Sequence, residues 1–505
     1  MSMPYKFENR WLIEGTLTTL GQLHIGTGDW AKRETTENWL LNKDEEPAKI
    51  AEIIRDHRNR PYIPGSTLKG CVRSWLEQHL ASHGESIRKS FGFQDPGTKG
   101  KGHGGRWEFL DARMPEGVPK ADEEITAQAA IDRVTRTAAD DKLFHCEAVK
   151  AGAAFVVRIG GQNLDDEDVA LLLEGLAAFN AEDGAITVGA SGADGCWGRM
   201  RWAATGLRKL LPGEPLMEHL EKGRLAYQDL PAFPLASLQS ARDAVKATET
   251  SVAKIRIGLE LEFEGAFLVN DARRCKTKYD KDPNDKRPNH APIRDQGGWA
   301  YLPASSFRGA FRSQAERIAR TMGMPARTAA EIQASNIDEA KRLDGVSRLF
   351  GVAGWRTPVE ISDFTQVAGQ EKQEQQQEFV AIDRFTGGGA DRLKFNAKHV
   401  LRPLFQGHME IDLSALARAD AGGWALALMA FVLRDLREGD IGFGFGSSKG
   451  YGGCRARVTS VDCRDGFDGA SAEQVKALLK DGTAKAETLG WFDALQKEVR
   501  RNATA

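Results

Sequence analysis

Two pairs of cations recur at helical spacing in two distant parts of this sequence. Lys69 and Arg73 lie four residues apart, and an Arg pair repeats the arrangement at Arg308 and Arg312. Residues four apart share one face of a helix. Two cations beside the exposed N–H groups and positive dipole end of a helix start can bind a phosphate group. A solvated amphipathic helix is the simpler interpretation of either pair alone, and the recurrence of both pairs puts the phosphate site on an equal footing with it.

Each cation pair belongs to a longer pattern that occurs twice in the same order. The pattern comprises a Tyr-x-Pro-x-Ser helix motif, an Ile-Asp-Arg-x-Thr segment and a glycine-rich segment. These occupy residues 56–73, 131–135 and 189–199 in the first copy and 295–312, 382–386 and 444–453 in the second. The offset between the copies changes only from 239 to 254 residues. A period this long indicates a duplicated domain rather than a short structural repeat.

The duplication defines the domain organisation that we predict. A first domain occupies residues 1–205, a connector 206–252, a second domain 253–462 and a C-terminal helical tail 463–505. In each copy the pattern predicts a strand, a helix, further strands, a second helix, the glycine loop and a closing strand. This order is typical of an α+β protein with two tandem ferredoxin-like (RRM-like) domains that carry inserted loops and hairpins.

The start of each motif helix carries hydroxyl side chains. Ser66 or Thr67 in the first copy, and Ser305 or Ser306 in the second, stand where an N-cap residue is expected. The tail has apolar residues at helical spacing, from Val475 onward, and is predicted to be a packing helix.

Composition excludes several classes of protein. The chain has 505 residues and a net charge of −2, so a polyanion site must be a local cluster of cations. Apolar runs stay well short of the ~20 residues that span a bilayer, and the first residues do not form a secretory signal. We therefore expect a cytoplasmic protein without membrane contact. The six cysteines form no Cys-x-x-Cys pair, so neither structural zinc nor a disulfide framework is expected.

The glycine-rich and Asp-Arg segments offer further polar groups. Arg199 and Lys449 stand among glycines, whose backbone amides can approach a phosphate closely. Neither loop matches a mononucleotide-binding motif, so no nucleotide cofactor is expected. Arg133 and Arg384 each follow an Asp that could hold the guanidinium. A tight turn is the alternative for the glycine loops, and a surface ion pair is the alternative for the Asp-Arg segments.

The combined motifs resemble the RAMP superfamily of CRISPR-associated proteins. Within it, the chain is most similar to two backbone subunits of type III effector complexes fused in tandem. The resemblance rests on the helix motifs, the Ile-Asp-Arg-x-Thr segments and the glycine loop at 444–452, and Ser347-Arg-Leu-Phe-Gly351 fits the second-helix region. It implies a protein that binds a guide CRISPR RNA and complementary target RNA together with other effector subunits. A hairpin with the Asp-Arg segment would wedge between guide and target. The residues thereby expected to contact RNA are Ser66, Lys69, Arg73, Arg133, Arg199, Ser305, Arg308, Arg312, Arg384 and Lys449.

The resemblance also implies a possible catalytic role. Several relatives cut target RNA with an Asp in the insertion before the Pro-x-Ser motif, using Mg²⁺ or a similar divalent cation. The segments 50–55 and 289–294, where that Asp is expected, contain none. Asp29 and Asp282, elsewhere in the two insertions, are our candidates. Three hypotheses remain open: a target-cutting backbone subunit, a non-catalytic scaffold, and a metal-independent guide-processing endoribonuclease with His24 or His290 in proton transfer.

Overall fold

A computed structural model describes most of the chain. The described residues are 6–32, 38–41, 46–94, 102–119, 121–132, 138–181, 185–190, 197–213, 216–217, 221, 230, 232–249, 253–277, 279–280, 282, 284–295, 297–324, 336–371 and 373–503. Arg133, a predicted RNA contact, lies outside them.

The first repeat is built in the order strand, helices, strands, helix and strand. Its elements are β1 (Arg10–Thr19), β2 (Gly26–Lys32), β3 (Lys49–Ile53), β4 (Tyr62–Ile63), α1 (Gly65–His79), α2 (Gly84–Phe91), β5 (Gly92–Gln94), β6 (Gly102–Gly104), β7 (Trp107–Phe109), β8 (Ala112–Arg113), β9 (Glu123–Ile131), β10 (Ala138–Val149), β11 (Ala154–Gln162), α3 (Asp166–Ala177) and β12 (Met200–Leu210). A further helix, α4 (Gln239–Ala247), follows in the connector.

The second repeat has the same order of elements. They are β13 (Lys254–Phe263), β14 (Ala266–Phe267), β15 (Tyr301–Leu302), α5 (Ala304–Thr321), α6 (Ile337–Ala340), α7 (Gly345–Phe350), β16 (Val359–Ile361), β17 (Phe364–Gln366), β18 (Glu374–Ile382), β19 (Gly389–Leu401), β20 (Leu404–Asp412), α8 (Leu413–Arg418), α9 (Gly423–Glu438) and β21 (Cys454–Cys463). The tail adds α10 (Ala472–Asp481) and α11 (Ala486–Ala503).

The two main sheets have the same topology, which confirms the predicted α+β fold. The first has the order β12-β1-β11-β8-β4, and the second has the order β21-β13-β20-β17-β15. In both, the closing strand and the third core strand flank the opening strand, as in a ferredoxin-like domain. Even a bulge recurs, between Glu14 and Gly15 in β1 and between Gly258 and Leu259 in β13.

Each repeat also carries a hairpin outside its main sheet. The first hairpin is β9–β10 and the second is β18–β19, and both consist of long antiparallel strands. The insertion before each motif helix packs against the base of the hairpin. We call residues 20–61 the first insertion and residues 268–300 the second insertion. β3 of the first insertion pairs with β10, and β14, just before the second insertion, pairs with β19.

The hydrophobic core of each repeat lies between its main sheet and its helices. In the first repeat, α1 and α3 contact each other over the sheet, and in the second α5 and α9 do so. The alternating burial along β13, whose inward residues from Ile255 to Phe263 are almost fully buried, follows the period of two that its sequence predicts.

The connector and the tail both contribute to these cores. Strand β12 pairs with β1 as far as Leu210, beyond residue 205. In α4, Val245 is buried in the first core, and Arg242 Nε donates to Glu174 Oε1 at 2.7 Å. In the tail, Val475 of α10 and Leu495 of α11 are buried in the second core.

The predicted N-caps are wrong in both repeats. The motif helices begin earlier, with Pro64 and Pro303 at the N-cap positions and without a side-chain cap. Proline fits here because the first turn of a helix needs no backbone N–H from it. Ser66 and Ser305 are instead exposed residues within the first turn.

Candidate RNA interface

A carboxylate from a turn between two strands binds the first amide of each motif helix. The N–H of Gly65 donates to Asp111 Oδ1 at 3.0 Å, and the N–H of Ala304 donates to Asp363 Oδ1 at 2.8 Å. A carboxylate at a helix N-terminus is stabilised by the dipole. The first amide of each helix, which we predicted as part of a phosphate site, is therefore bound to the protein itself. The exposed serine one residue further on remains accessible to RNA.

The first cation of each helix pair binds the adjoining strand. Lys69 Nζ donates to the carbonyl of Trp107 at 3.2 Å, and Arg308 Nη1 donates to the carbonyl of Val359 at 2.8 Å. Burial, followed by the nearby charge of Arg73, lowers the pKa of Lys69. An anion near Lys69 would relieve this unfavourable environment. A phosphate-binding role for these cations is thus compatible with a structural one.

The second cation of each pair binds the end of the next helix. Arg73 Nη1 donates to the carbonyl of Gly92 at 2.8 Å, and Arg312 Nη1 donates to the carbonyl of Gly351 at 2.9 Å. These glycines, at the C-caps of α2 and α7, have φ of 91° and 79°. A cation at a helix C-terminus is favourable. Sequence spacing did not reveal this structural use, because the acceptors lie far along the chain.

Each motif helix has a bare surface next to its first cation. Gly70 and Gly309 follow Lys69 and Arg308, and a methyl group added at either glycine would meet no atom within 4 Å. Glycine in a helix interior costs about 0.5–1 kcal/mol relative to alanine. Because internal packing does not require these glycines, they indicate a surface that a ligand backbone approaches closely.

Replacing Gly309 with alanine is expected to stabilise the protein and weaken RNA binding. The free energy of unfolding should rise by about 0.5–1 kcal/mol. RNA affinity should fall about tenfold, equivalent to about 1.4 kcal/mol, because the methyl group displaces the RNA backbone. Denaturant unfolding and filter binding of single-stranded RNA measure the two effects. Gly490→Ala is the control, since Gly490 is also an open helical position but lies in the tail. Equal RNA affinity of the Gly309 variant and the wild type would contradict this interpretation.

The two glycine loops are anchored by equivalent contacts. The N–H groups of Gly198 and Gly452 donate to the carbonyls of Gln22 and Ala266 at 2.7 and 2.8 Å. Their φ angles are 69° and 79°, and an added Cβ would lie 2.2 and 2.1 Å from a carbonyl oxygen. Only glycine fits such positions. The predicted alignment of the loops is therefore confirmed at the level of individual contacts.

An aromatic cluster surrounds Lys449 at the second glycine loop. Lys449 Nζ lies 5.8 Å from the ring centre of Phe395 and 5.7 Å from that of Phe445. The Phe395 ring stacks on Phe379 of the hairpin, with ring centres 4.9 Å apart. Aromatic rings beside cations are the usual platform for unpaired bases. The cluster was missed from sequence, although Phe379 and Phe395 occupy one face of neighbouring strands.

The tip of the second hairpin exposes an aromatic side chain. Asp383 Oδ1 accepts hydrogen bonds from the N–H groups of Phe385 and Thr386 at 2.9 and 2.8 Å. Hydrogen bonds from Thr386 and Phe385 lower the pKa of Asp383. The carboxylate therefore shapes the turn instead of only holding Arg384. Arg384 is exposed, and Phe385 is 99% exposed.

The two candidate catalytic acids are exposed but do not occupy equivalent positions. Asp29 lies on β2, and its N–H donates to Thr27 Oγ1 at 3.0 Å. Asp282 lies in the second insertion, where its Oδ1 accepts from the N–H of Asn284 at 2.8 Å. Among the residues that the structure describes, no group of three or more His, Cys, Asp or Glu side chains could hold a metal ion. Mg²⁺ is commonly bound by one or two carboxylates together with substrate phosphates. A single acid therefore satisfies only part of such a site.

The two candidate histidines are packed into the protein. His24 is buried, and its Nδ1 lies 2.7 Å from the carbonyl oxygen of Glu147. His290 stacks on Phe445 at 4.3 Å between ring centres. Burial, followed by the charge of Lys449, lowers the pKa of His290. Both environments favour a structural role.

The first repeat contacts the second insertion directly. Asn38 Nδ2 donates to Asp280 Oδ1 at 2.8 Å, and Arg273 Nη1 lies 2.7 Å from Glu124 Oε2 at the base of the first hairpin. Burial raises the pKa of Asp280, but hydrogen bonds from Thr277 and Asn38 outweigh it and lower the pKa to about 2. Asp280 is thus an ionised acid committed to this contact.

Comparison with known proteins gives the class of the chain. A model of the RAMP superfamily matches residues 16–201 and 251–455, which correspond to the two repeats. The chain belongs to the RAMP superfamily, as two such domains fused in tandem. It is therefore a CRISPR-associated RNA-binding protein of the kind that acts with other effector subunits. No curated protein matches the chain. Within the described part, no helix is both long and apolar enough to cross a membrane.

Proposed function

We propose that this protein is a guide-RNA-binding backbone subunit of a type III CRISPR effector complex. The repetition of the same exposed features in both repeats supports the proposal. Each repeat combines an exposed serine and an open glycine on the motif helix, an anchored glycine loop and a hairpin of long strands outside the main sheet. Two equivalent surfaces on one chain suit a ligand that repeats along its length, such as an extended guide strand.

We further propose that the complex cuts target RNA that is complementary to the guide, with Mg²⁺ or a similar divalent cation. Asp29 and Asp282 are the candidate acids because both are exposed in the insertions. Such an acid would orient the attacking 2′-hydroxyl or take up its proton at a carboxylate oxygen. The divalent cation would stabilise the charge that develops on the phosphate.

Cleavage of labelled complementary RNA by the assembled complex, with Mg²⁺ or EDTA, tests both statements. Products at a regular spacing that disappear with EDTA would support a metal-dependent backbone nuclease. Cleavage that persists in EDTA would indicate the guide-processing alternative with a histidine base. Tight binding of guide and target without cleavage would leave the scaffold alternative. Failure to recover any guide RNA with the complex would overturn the proposal.

Substitution of the two acids is expected to identify the cutting repeat. Asp29→Asn or Asp282→Asn should slow cleavage at one set of sites by about 100-fold or more, as loss of a catalytic proton-transfer group does. Guide binding should stay unchanged, since both side chains are exposed. Asp338→Asn, at an exposed acid on α6, is the control. Unchanged cleavage by the double Asp29 and Asp282 variant would exclude both residues.

A further inference from the structure

A charged cleft lies between the second insertion and the base of the second hairpin. Its volume is about 610 Å³. Three cations and one carboxylate line it, together with apolar walls; the charged residues are Arg274, Arg294, Lys398 and Glu374. The lining therefore has an excess of positive charge. No role has been assigned to this cleft in the proposed function.

Contacts within the cleft fix the positions of its charges. Arg294 Nη1 donates to the carbonyl of Gly298 at 2.8 Å, and the same guanidinium binds Glu374. Lys398 Nζ lies 2.8 Å from the other oxygen of Glu374. Burial raises the pKa of Glu374, but the hydrogen bonds from Lys398 and Arg294 lower it overall. The single carboxylate is thus ionised and shared by two cations.

Arg274 completes the rim of the cleft. Its Nε lies 3.4 Å from Asp271 Oδ2, and Asp271 also binds Arg273 at 2.9 Å. The side chains of Arg274 and Lys398 are 50% and 42% exposed, whereas that of Arg294 is 12% exposed. Arg274 and Lys398 are consequently the cations that a ligand would meet.

The first repeat has the opposite charge at the equivalent place. Glu123 pairs with Val149 across its hairpin as Glu374 pairs with Val400, so Glu147 stands where the second repeat has Lys398. Arg55 Nη1 lies 2.6 Å from Glu123 Oε1, and its Nη2 lies 2.7 Å from Glu147 Oε1. Arg55 thus bridges two carboxylates there, and the net negative charge of these three side chains disfavours an anion.

We propose that the cleft of the second repeat binds a backbone phosphate of single-stranded RNA, between Arg274 and Lys398, and that the residues described at the equivalent place of the first repeat do not bind one. This inference rests on the RNA binding of the proposed function. It means that the two repeats contact RNA differently. The walls formed by Pro288, Ala291 and Pro292 suit an adjoining ribose or base. The cleft also lies at the base of the hairpin that carries Arg384 and Phe385, so one RNA strand could contact both.

The test measures binding of single-stranded RNA to the full chain at several salt concentrations. Lys398→Gln should weaken binding about tenfold. It should also reduce the slope of log K against log salt by about 0.7, the value for one phosphate contact on a single strand. The control is Lys394→Gln, on the same strand, paired with a glutamate at 3.6 Å and outside the cleft. Folding of both variants is verified by thermal unfolding.

The outcomes separate this inference from the proposed function. Weaker RNA binding by Lys398→Gln than by Lys394→Gln would support a phosphate site in the cleft. Equal losses of RNA affinity in the two variants would overturn it, because the overall charge of the hairpin would then explain binding. Inorganic phosphate and ATP serve as competitors. If Lys398→Gln weakened the binding of inorganic phosphate or ATP but left RNA binding unchanged, the cleft would bind a free phosphate compound. That result would also overturn the inference. Absence of RNA binding by the wild-type chain would instead refute the proposed function.

Discussion

Replacing Gly452 with alanine is expected to destabilise the second repeat and abolish its contribution to RNA binding. The added Cβ would lie 2.1 Å from the carbonyl oxygen of Phe443, at a φ of 79° that non-glycine residues rarely adopt. That backbone cannot move alone, because the N–H of Phe443 donates to the carbonyl of Gly452 at 3.0 Å. We expect a loss of about 3–5 kcal/mol in the free energy of unfolding, the range of severe local strain. Denaturant unfolding measures it.

Gly450 provides a matched control for this prediction. It has the same φ of 79°, but an added methyl group would meet no atom within 4 Å. Gly450→Ala should therefore cost only about 1–2 kcal/mol, the conformational penalty of the left-handed region. If both variants lost the same stability, the close approach to Phe443 would not be what requires glycine. If the Gly452 variant lost stability but kept its RNA affinity, the glycine loop would not be part of the RNA interface.

Replacing Glu498 with alanine is expected to have a comparably large effect on stability. Glu498 of α11 binds Arg348 of α7, and these residues are 9% and 1% exposed. Arg348 Nη1 also donates to the carbonyl of Asp420 at 2.8 Å, and its guanidinium lies over the Trp424 ring. Removing the carboxylate leaves a buried cation without its main counter-charge, which typically costs about 3–5 kcal/mol.

The same contact connects the tail to the interface. α7 ends at Phe350, and the carbonyl of Gly351 at its C-cap is bound by Arg312 of the motif helix. Loosening α7 should therefore disturb that helix as well. Thermal unfolding of Glu498→Ala, compared with Asp493→Ala at an exposed position of α11, measures the effect. A loss below about 1 kcal/mol, as for a surface ion pair, would contradict the buried role of this pair.

The duplicated fold could be predicted from the sequence because the two copies of the motifs can be aligned with each other. Positions that recur together, such as Gly198 and Gly452, proved to make the same backbone contacts. The N-caps could not be predicted correctly, because Asp111 and Asp363 reach the helix starts from turns between strands that lie far along the chain. For the same reason, spacing alone could not show that Arg73 and Arg312 bind the ends of neighbouring helices.

Differences between the repeats were harder to predict than their similarities. Glu147 and Lys398 are ordinary charged residues in sequence, and only the hairpin register places them at the same position. The exposure of Phe385 likewise depends on the turn that Asp383 organises.

The most direct test of the central claim is a nuclease footprint of the guide RNA bound to this protein in its assembled complex. Two adjacent protected intervals of equal length, each ending at a reactive position where one of the two hairpins enters, are predicted if both repeats bind the guide in tandem. Phe385→Ala should alter the position at the second hairpin only. A single protected interval, or a guide without protected intervals, would contradict a tandem backbone subunit.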